Sequence, residues 1–199
     1  MRKRGMHVIT RPEQLRALVS PVRQELLDVM ARMGTVSIAE VAAVLGRPAD
    51  GLYYHVRALQ RVGLVEAAGT RRGGVREEAL FRAKAGQFAI RYPQAIAGRR
   101  AMTAIVGAML RLGARDFARA LARGDVRVEG PQREVWALRT TGWLTPARLR
   151  DVNRHIAALS AAATQAGPAG RLYAVTILLT PLVHRDNKTG RRPRKQARR

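Results

Sequence analysis

Apolar positions in the first third of the chain recur at the three- and four-residue spacing of helices that bury one face. This spacing predicts a first helix that starts near Pro12 and a second helix from Pro21 to Met33, closed by Gly34. Residues 37–40, Ser-Ile-Ala-Glu, have the S-x-x-E spacing of a capping box and therefore predict the start of a third, shorter helix.

A fourth helix is predicted over residues 48–62. Leu52, Val56 and Leu59 stand at i, i+4 and i+7, so they form one buried stripe. The opposite side has residues that can hydrogen-bond, stack or neutralise phosphate: Asp50, Tyr53, Tyr54, Arg57 and Arg61. Alone, this pattern favours an ordinary solvated face. Its neighbours favour DNA binding, because Gly46 joins it closely to the third helix, as in a helix-turn-helix unit.

After Gly63 the pattern changes to that of strands. Residues 64–68 and 75–82 predict two strands joined by a turn at 70–74, which together form a β-hairpin, or wing. Three exposed cations are expected at the tip of this wing: Arg71, Arg72 and Arg76.

The second half predicts a long helix followed by a small α/β unit. The long helix covers residues 99–123, and its apolar stripe consists of Met102, Ile105, Val106, Met109, Leu112 and Phe117. Strand-like segments at 134–143 and 172–179 flank a helix that begins at Thr145-Pro146. The predicted fold class is therefore mainly α with a small β part: an N-terminal winged helix-turn-helix domain, a long helix and a small α/β C-terminal unit.

These elements divide the chain into five parts. A basic N-terminal arm is predicted at 1–11, the winged helix-turn-helix domain at 12–83 and a connector at 84–98. The long helix and the α/β domain occupy 99–183, and a basic tail at 184–199 is expected to be disordered.

The charge of the chain narrows the choice of partner. With 37 Lys+Arg against 14 Asp+Glu the formal net charge is +23, which favours nucleic acid and, less strongly, an anionic membrane surface for the tail. No apolar stretch approaches the roughly 18 residues of a membrane span, so membrane insertion is not expected. The absence of cysteine excludes disulfides and thiolate metal sites, and it fits a cytoplasmic setting. The predicted localisation is therefore cytoplasmic, in association with the nucleoid.

Residues 12–83 resemble the winged helix-turn-helix domain of bacterial ArsR-type transcriptional regulators. The resemblance rests on four pieces in order: Leu18 with Ser20-Pro21-Val22-Arg23, then residues 37–42, 52–59 and 62–65. It implies that the Tyr53–Arg57 region enters the major groove and that the hairpin tip touches the DNA backbone or minor groove. It also implies that the long helix pairs with its twin in a homodimer. The alternative is that this helix packs only on its own C-terminal domain.

Two departures from the family pattern limit what the resemblance implies. The helix before the turn lacks the cysteines of the family's best-known metal sensors. Ala49, Asp50 and Gly51 stand where small hydroxyl residues are common in the family, so the bases contacted cannot be inferred from it.

Catalytic or metal chemistry finds little support in the sequence. Among the four histidines only His155 has an acidic neighbour at helical spacing, Asp151, and an exposed pair is favoured over half of a metal site. Gly73-Gly74 is too short for a phosphate-binding loop. Trp136 and Trp143 are expected in the core rather than around a ligand. The chain is therefore predicted to be no enzyme and to need no cofactor.

Three functions remain open. The first is a dimeric transcriptional regulator that binds double-stranded DNA sequence-specifically. The second is an RNA-binding or nucleoid-associated basic protein without sequence preference. The third adds a small-molecule effector, sensed by the C-terminal unit, to the first. Charge does not separate the first two, because phosphate contacts carry no sequence information, whereas Tyr53, Tyr54 and Arg57 offer groups for base edges and favour the first.

Overall fold

A computed structural model of the chain describes residues 5–73, 76–165 and 170–182. Within these ranges the elements are β1 (Met6–Ile9), α1 (Pro12–Leu18), α2 (Pro21–Met33), β2 (Thr35–Ser37), α3 (Ile38–Leu45), α4 (Asp50–Arg61), β3 (Val65–Gly73), β4 (Arg76–Ala83), β5 (Gln87–Ile90), α5 (Ile96–Arg123) and α6 (Pro146–Gln165). The fold is mainly helical with two small sheets, which confirms the predicted class. The basic tail and Arg2, Lys3 and Arg4 of the arm lie outside the described residues.

Capping residues explain where the first helices begin and end. α2 has the predicted bounds, and Gly34 follows it with a φ of 88°. Both bonds of the capping box are present at α3: the Glu40 amide donates to Ser37 Oγ at 3.3 Å, and the Ser37 amide donates to the Glu40 carboxylate at 2.8 Å. The bond from the Ser37 amide is the main cause that lowers the pKa of Glu40.

The wing is present, and it is longer than predicted. Strands β2, β4 and β3 form an antiparallel sheet in that order, and β3 stays paired up to Gly73. The turn predicted at 70–74 is therefore wrong over the part that belongs to β3. Gly69, with a φ of 95°, lies in a β-bulge between Ala67 and Thr70, and β3 continues beyond this bulge.

A second sheet forms from segments predicted as the N-terminal arm and the connector. β1 and β5 pair in parallel, with Met6 opposite Gln87. The side chain of Ile9 is 1% exposed and belongs to the domain core, so residues 6–9 are not part of an arm. Strands of four residues contain too little alternation for a sequence pattern to predict them.

One hydrophobic core joins the helices and sheets of the N-terminal part. Its largest fully buried members include Ile9, Leu26, Met30, Ile38, Val41, Val56, Leu59 and Leu64. Two buried glutamines connect its helices. Gln14 Nε2 donates to the Val62 carbonyl at 3.1 Å, so α1 satisfies a carbonyl left free at the end of α4. Gln24 Nε2 donates to the carbonyls of Leu18 at 2.6 Å and Ile105 at 3.1 Å, which links α2 to both α1 and α5.

The long helix α5 packs against α1 and α2 of its own domain. Ile105, which the sequence places on a dimerisation stripe, is 4% exposed and belongs to this intramolecular core. The other residues of the predicted stripe are partly buried: Met102, Val106, Met109, Leu112 and Phe117. The sequence pattern therefore predicted the apolar side of α5 correctly. Part of that side packs against α1 and α2 of the same chain.

The C-terminal part differs from its prediction. α6 begins at the predicted proline, whereas residues 134–143 and 172–179 form no strand. A segment with high strand propensity forms a strand only when a second strand supplies hydrogen bonds to its backbone. Within the described ranges, no strand pairs with either segment. Trp136 and Trp143 are 67% and 90% exposed, so the expectation that they belong to the core is wrong.

Candidate nucleic-acid interface

Helices α3 and α4 stand in the arrangement of a helix-turn-helix unit. Gly46 ends α3 with a φ of 59°, a left-handed conformation that favours glycine. The turn extends through Ala49, so α4 begins at Asp50, two residues later than the predicted start at Pro48. Beyond α4, Gly63 has a φ of 71° and directs the chain into the wing.

The two sides of α4 separate as the sequence predicts. Leu52, Val56 and Leu59 are buried in the domain core. The five residues predicted to contact DNA are all exposed on the outward side: Asp50, Tyr53, Tyr54, Arg57 and Arg61. The ring of Tyr54 lies edge-on to that of His55, with 5.2 Å between the centroids. The outward side of α4 thus presents aromatic and cationic groups to solvent, and the opposite side of the helix packs in the domain core.

Three of the predicted DNA-binding arginines are free of internal partners. Among the described residues, Arg57, Arg61 and Arg72 form no ion pair and no side-chain hydrogen bond. A guanidinium in this state keeps its donors for an external carboxylate, phosphate or base edge. A nucleic acid would therefore meet these three arginines without first displacing an acidic group.

Arg71 is engaged within the chain. Its guanidinium donates to Glu40 of α3 at 3.0 Å and to Glu78 of β4 at 3.1 Å, so it fastens the wing to the helix-turn-helix unit. The expectation that Arg71 binds DNA stays a prediction, and two carboxylates compete with that role. Arg76 begins β4, and its side chain lies outside the described part of the structure.

A second ion-pair cluster joins the turn to α5. Glu25 of α2 is nearly buried, with its side chain 10% exposed. Its carboxylate accepts from Arg47 in the turn at 2.9 Å and from Arg115 of α5 at 2.5 Å. The three residues are far apart in the sequence, so no local pattern could have predicted the cluster. It holds the turn before α4 in a fixed position relative to the long helix.

His55 lies on α4 beside the buried stripe. Burial is the main cause that lowers the pKa of His55, and the positive charges of Arg23 and Arg47 lower it further. The imidazole is therefore neutral at neutral pH and adds no cation to the interface.

The C-terminal pair considered for metal binding does not form a carboxylate–imidazole contact. His155 Nδ1 lies 2.8 Å from the backbone carbonyl of Asp151, and the Asp151 carboxylate pairs with Arg154 at 2.9 Å. Within residues 5–73, 76–165 and 170–182, no group of three or more His, Cys, Asp or Glu could hold a metal ion. No helix in these ranges has the length and apolar character needed to cross a membrane.

Comparison with known proteins agrees with this geometry. Residues 18–67 match a helix-turn-helix domain family, and this region extends from the end of α1 through α4 into β3. No curated protein matches the chain. The N-terminal part thus contains a helix-turn-helix unit followed by a β-hairpin wing, an arrangement that supports a DNA-binding domain.

Proposed function

We propose that this protein is a transcriptional regulator of the ArsR type that binds double-stranded DNA sequence-specifically as a homodimer. The observation that supports this most directly is the outward side of α4, where Tyr53 and Arg57 are exposed and Arg57 has no ion pair or side-chain hydrogen bond among the described residues. In this proposal α4 lies in the major groove, the wing contacts the backbone or the minor groove, and the protein acts at the nucleoid in the cytoplasm.

The exposed side chains of α4 match the chemistry of base edges. The fork of the Arg57 guanidinium fits guanine O6 and N7, the commonest specific contact in the major groove. Tyr53, one helical turn earlier, offers its ring to a thymine methyl group or its hydroxyl to a phosphate. Arg72 lies in the wing, on a different element from the exposed side of α4. In this proposal it therefore contacts the DNA backbone and not a base. The sequence preference therefore comes from α4, and the wing adds affinity for any duplex.

The homodimer is proposed from apolar side chains that one chain leaves uncovered. On α5, Leu110 and Leu121 are each 44% exposed although Ile105 on the same helix is buried. In the C-terminal part, large apolar residues remain exposed in succession: Trp136, Leu138, Trp143, Leu172, Val175, Leu178 and Leu179. Large apolar side chains exposed in this number support an interaction site in this part of the chain. A second copy would cover these side chains and would offer residues 172–179 a strand partner, which they lack among the described residues.

A nonspecific nucleic-acid-binding protein is the second candidate. The formal net charge of +23 supports it, because electrostatic attraction to phosphates does not depend on sequence. Sensing of a small molecule by the C-terminal part stays a prediction.

Arg57→Ala is expected to weaken binding to the operator by about 1–3 kcal/mol and binding to random duplex much less, because the lost contact is to a base. Arg72→Ala is expected to weaken binding to both duplexes nearly equally, because it removes a backbone contact. Both variants would be measured by fluorescence anisotropy on a footprinted genomic site and on a scrambled duplex, with Arg119→Ala on α5 as the charge-matched control. Equal losses on both duplexes for Arg57→Ala would place this arginine on a phosphate. No preference of the wild type for any site would favour the second candidate.

In solution, the wild-type protein is expected to sediment as a dimer at micromolar concentration, because the apolar surface of α5 and the C-terminal part requires cover. The footprint should then contain two inverted half-sites whose centres are about 34 Å, or a multiple of it, apart. A wild-type monomer at this concentration would contradict the dimer, and a single half-site would contradict two-fold binding.

A further inference from the structure

An open groove of about 290 Å³ lies between α1, the first turn of α2 and the last turn of α4. The charged residues that line it are Arg16, Arg23, Arg61 and Glu13. The rest of the lining is small or aliphatic, with Ala17, Ala58 and Val62, and no aromatic ring is among the lining residues. The groove is therefore suited to a compact anion and not to an apolar ligand or a stacked base.

In the part of the chain that the structure describes, no acidic group pairs with Arg16, Arg23 or Arg61, the three arginines of this groove. Among the described residues, the one acidic residue that lines the groove, Glu13, pairs instead with Arg11 at 3.3 Å. Arg23 Nε is enclosed and has no hydrogen-bond partner in the described structure. A buried donor without a partner costs free energy, and three neighbouring guanidinium groups repel one another. An external oxyanion would relieve both costs.

The groove continues the proposed DNA-contacting side of α4. Arg61 belongs to both surfaces, because it is exposed on the outward side of the helix and lines the groove. A DNA strand whose bases face Tyr53 and Arg57 would therefore pass its backbone towards Arg61 and the first turn of α2. Guanidinium groups bind phosphate oxygens in pairs through their planar fork, so the side-chain chemistry matches this partner.

We propose that the groove formed by Arg16, Arg23 and Arg61 binds a phosphodiester of the DNA backbone next to the bases that α4 contacts. This inference rests on the proposed function, and it assigns DNA-binding roles to two residues of α1 and α2 outside the helix-turn-helix pair. A phosphate held there fixes the register of α4 along the duplex, because backbone contacts position a protein and base contacts specify the sequence.

The first test compares the double variant Arg16→Ala/Arg23→Ala with the double variant Arg91→Ala/Arg119→Ala, which removes the same charge from exposed positions outside the groove. Binding to the operator and to scrambled duplex is measured over a range of salt concentrations. The groove variant is expected to lose about 0.9 from the slope of log K against log salt for each phosphate released, on both duplexes. The ratio of the two affinities should stay unchanged. A circular dichroism melt shows whether the fold is intact. Arg23→Lys is a second control, because it changes the side chain and keeps the charge.

The second test locates the contact on the DNA. In a series of operator duplexes, one phosphate at a time is replaced by an uncharged methylphosphonate. The wild type should lose affinity at one position beside the half-site, and the groove variant should lose nothing further there. A titration with inorganic phosphate, followed by NMR, distinguishes a free anion from the DNA backbone. Saturable binding of inorganic phosphate, together with an unchanged salt slope in the groove variant, would assign the groove to a free anion and overturn the inference.

The two proposals fail in different ways. Sequence discrimination by the wild type, combined with an unchanged salt slope in the groove variant, would overturn the groove inference and leave the proposed function in place. A wild type without sequence preference, combined with a reduced slope in the groove variant, would support the phosphate contact and contradict sequence-specific regulation.

Discussion

Replacement of Ile105 by glutamate is expected to unfold the N-terminal domain. The side chain is 4% exposed in a core shared with α1 and α2, and the backbone carbonyl of Ile105 itself accepts a hydrogen bond from the buried Gln24. A carboxylate at this position would lie among apolar groups without a partner, which costs several kcal/mol and is comparable with a typical domain stability of about 5–15 kcal/mol. A thermal melt followed by circular dichroism should show no cooperative transition.

Leu110→Glu is the matched control on the same helix. Leu110 is 44% exposed within one chain, so the same change of charge leaves the core intact and the cooperative melt should persist. If α5 contributes to the dimer, this variant sediments as a monomer, because a charge is then buried in the interface. A stable, cooperative Ile105→Glu variant would contradict the packing of α5 on its own domain. A Leu110→Glu variant that remains dimeric would place the interface elsewhere.

Glu25→Ala is expected to lower the free energy of unfolding by about 3–5 kcal/mol, the cost of removing one partner from a nearly buried ion pair. The carboxylate bridges Arg47 at 2.9 Å and Arg115 at 2.5 Å, so its loss leaves Arg47 without an ion-pair partner among the described residues and Arg115 with Asp116 alone. Urea denaturation of wild type and variant measures the difference.

Glu66→Ala provides the control for that loss. Glu66 also pairs with an arginine, Arg82, but both side chains are nearly half exposed. Exposed pairs contribute about 0–1 kcal/mol, so this variant should be close to wild type in stability. Similar losses for the two variants would show that the Glu25 cluster is no more important than an ordinary surface pair.

Local patterns were sufficient for most of the helices. α2 has its predicted bounds because the proline at its start and Gly34 at its end act through their own backbone preferences. The capping box at Ser37 likewise depends on residues three positions apart. The outward side of α4 also followed from spacing, because a buried stripe of Leu52, Val56 and Leu59 determines which residues face away.

Features that depend on distant residues could not be predicted in this way. The groove of Arg16, Arg23 and Arg61 unites three helices, and the Glu25 cluster links a turn to a helix far along the chain. Arg71 illustrates the same limit, since its position in the wing suggested a free cation and its partners are contributed by α3 and β4.

The strands predicted in the C-terminal part are absent from the described residues although the local pattern favoured them. Residues 172–179 have the composition of a strand covered on both faces, and composition does not supply a neighbouring strand.

The pairing of β1 with β5 joins residues farther apart in the sequence than the other strand pairings of the N-terminal domain. β3 and β4 are neighbours in the sequence, so their hairpin closes only a short loop, whereas β1 must meet a strand at the opposite end of the domain. Closure of that long loop costs more entropy and slows the step that depends on it. During synthesis β1 leaves the ribosome before β5 and cannot form its sheet until β5 has also emerged. The backbone groups of β1 therefore remain without their strand partner until nearly the whole domain has emerged.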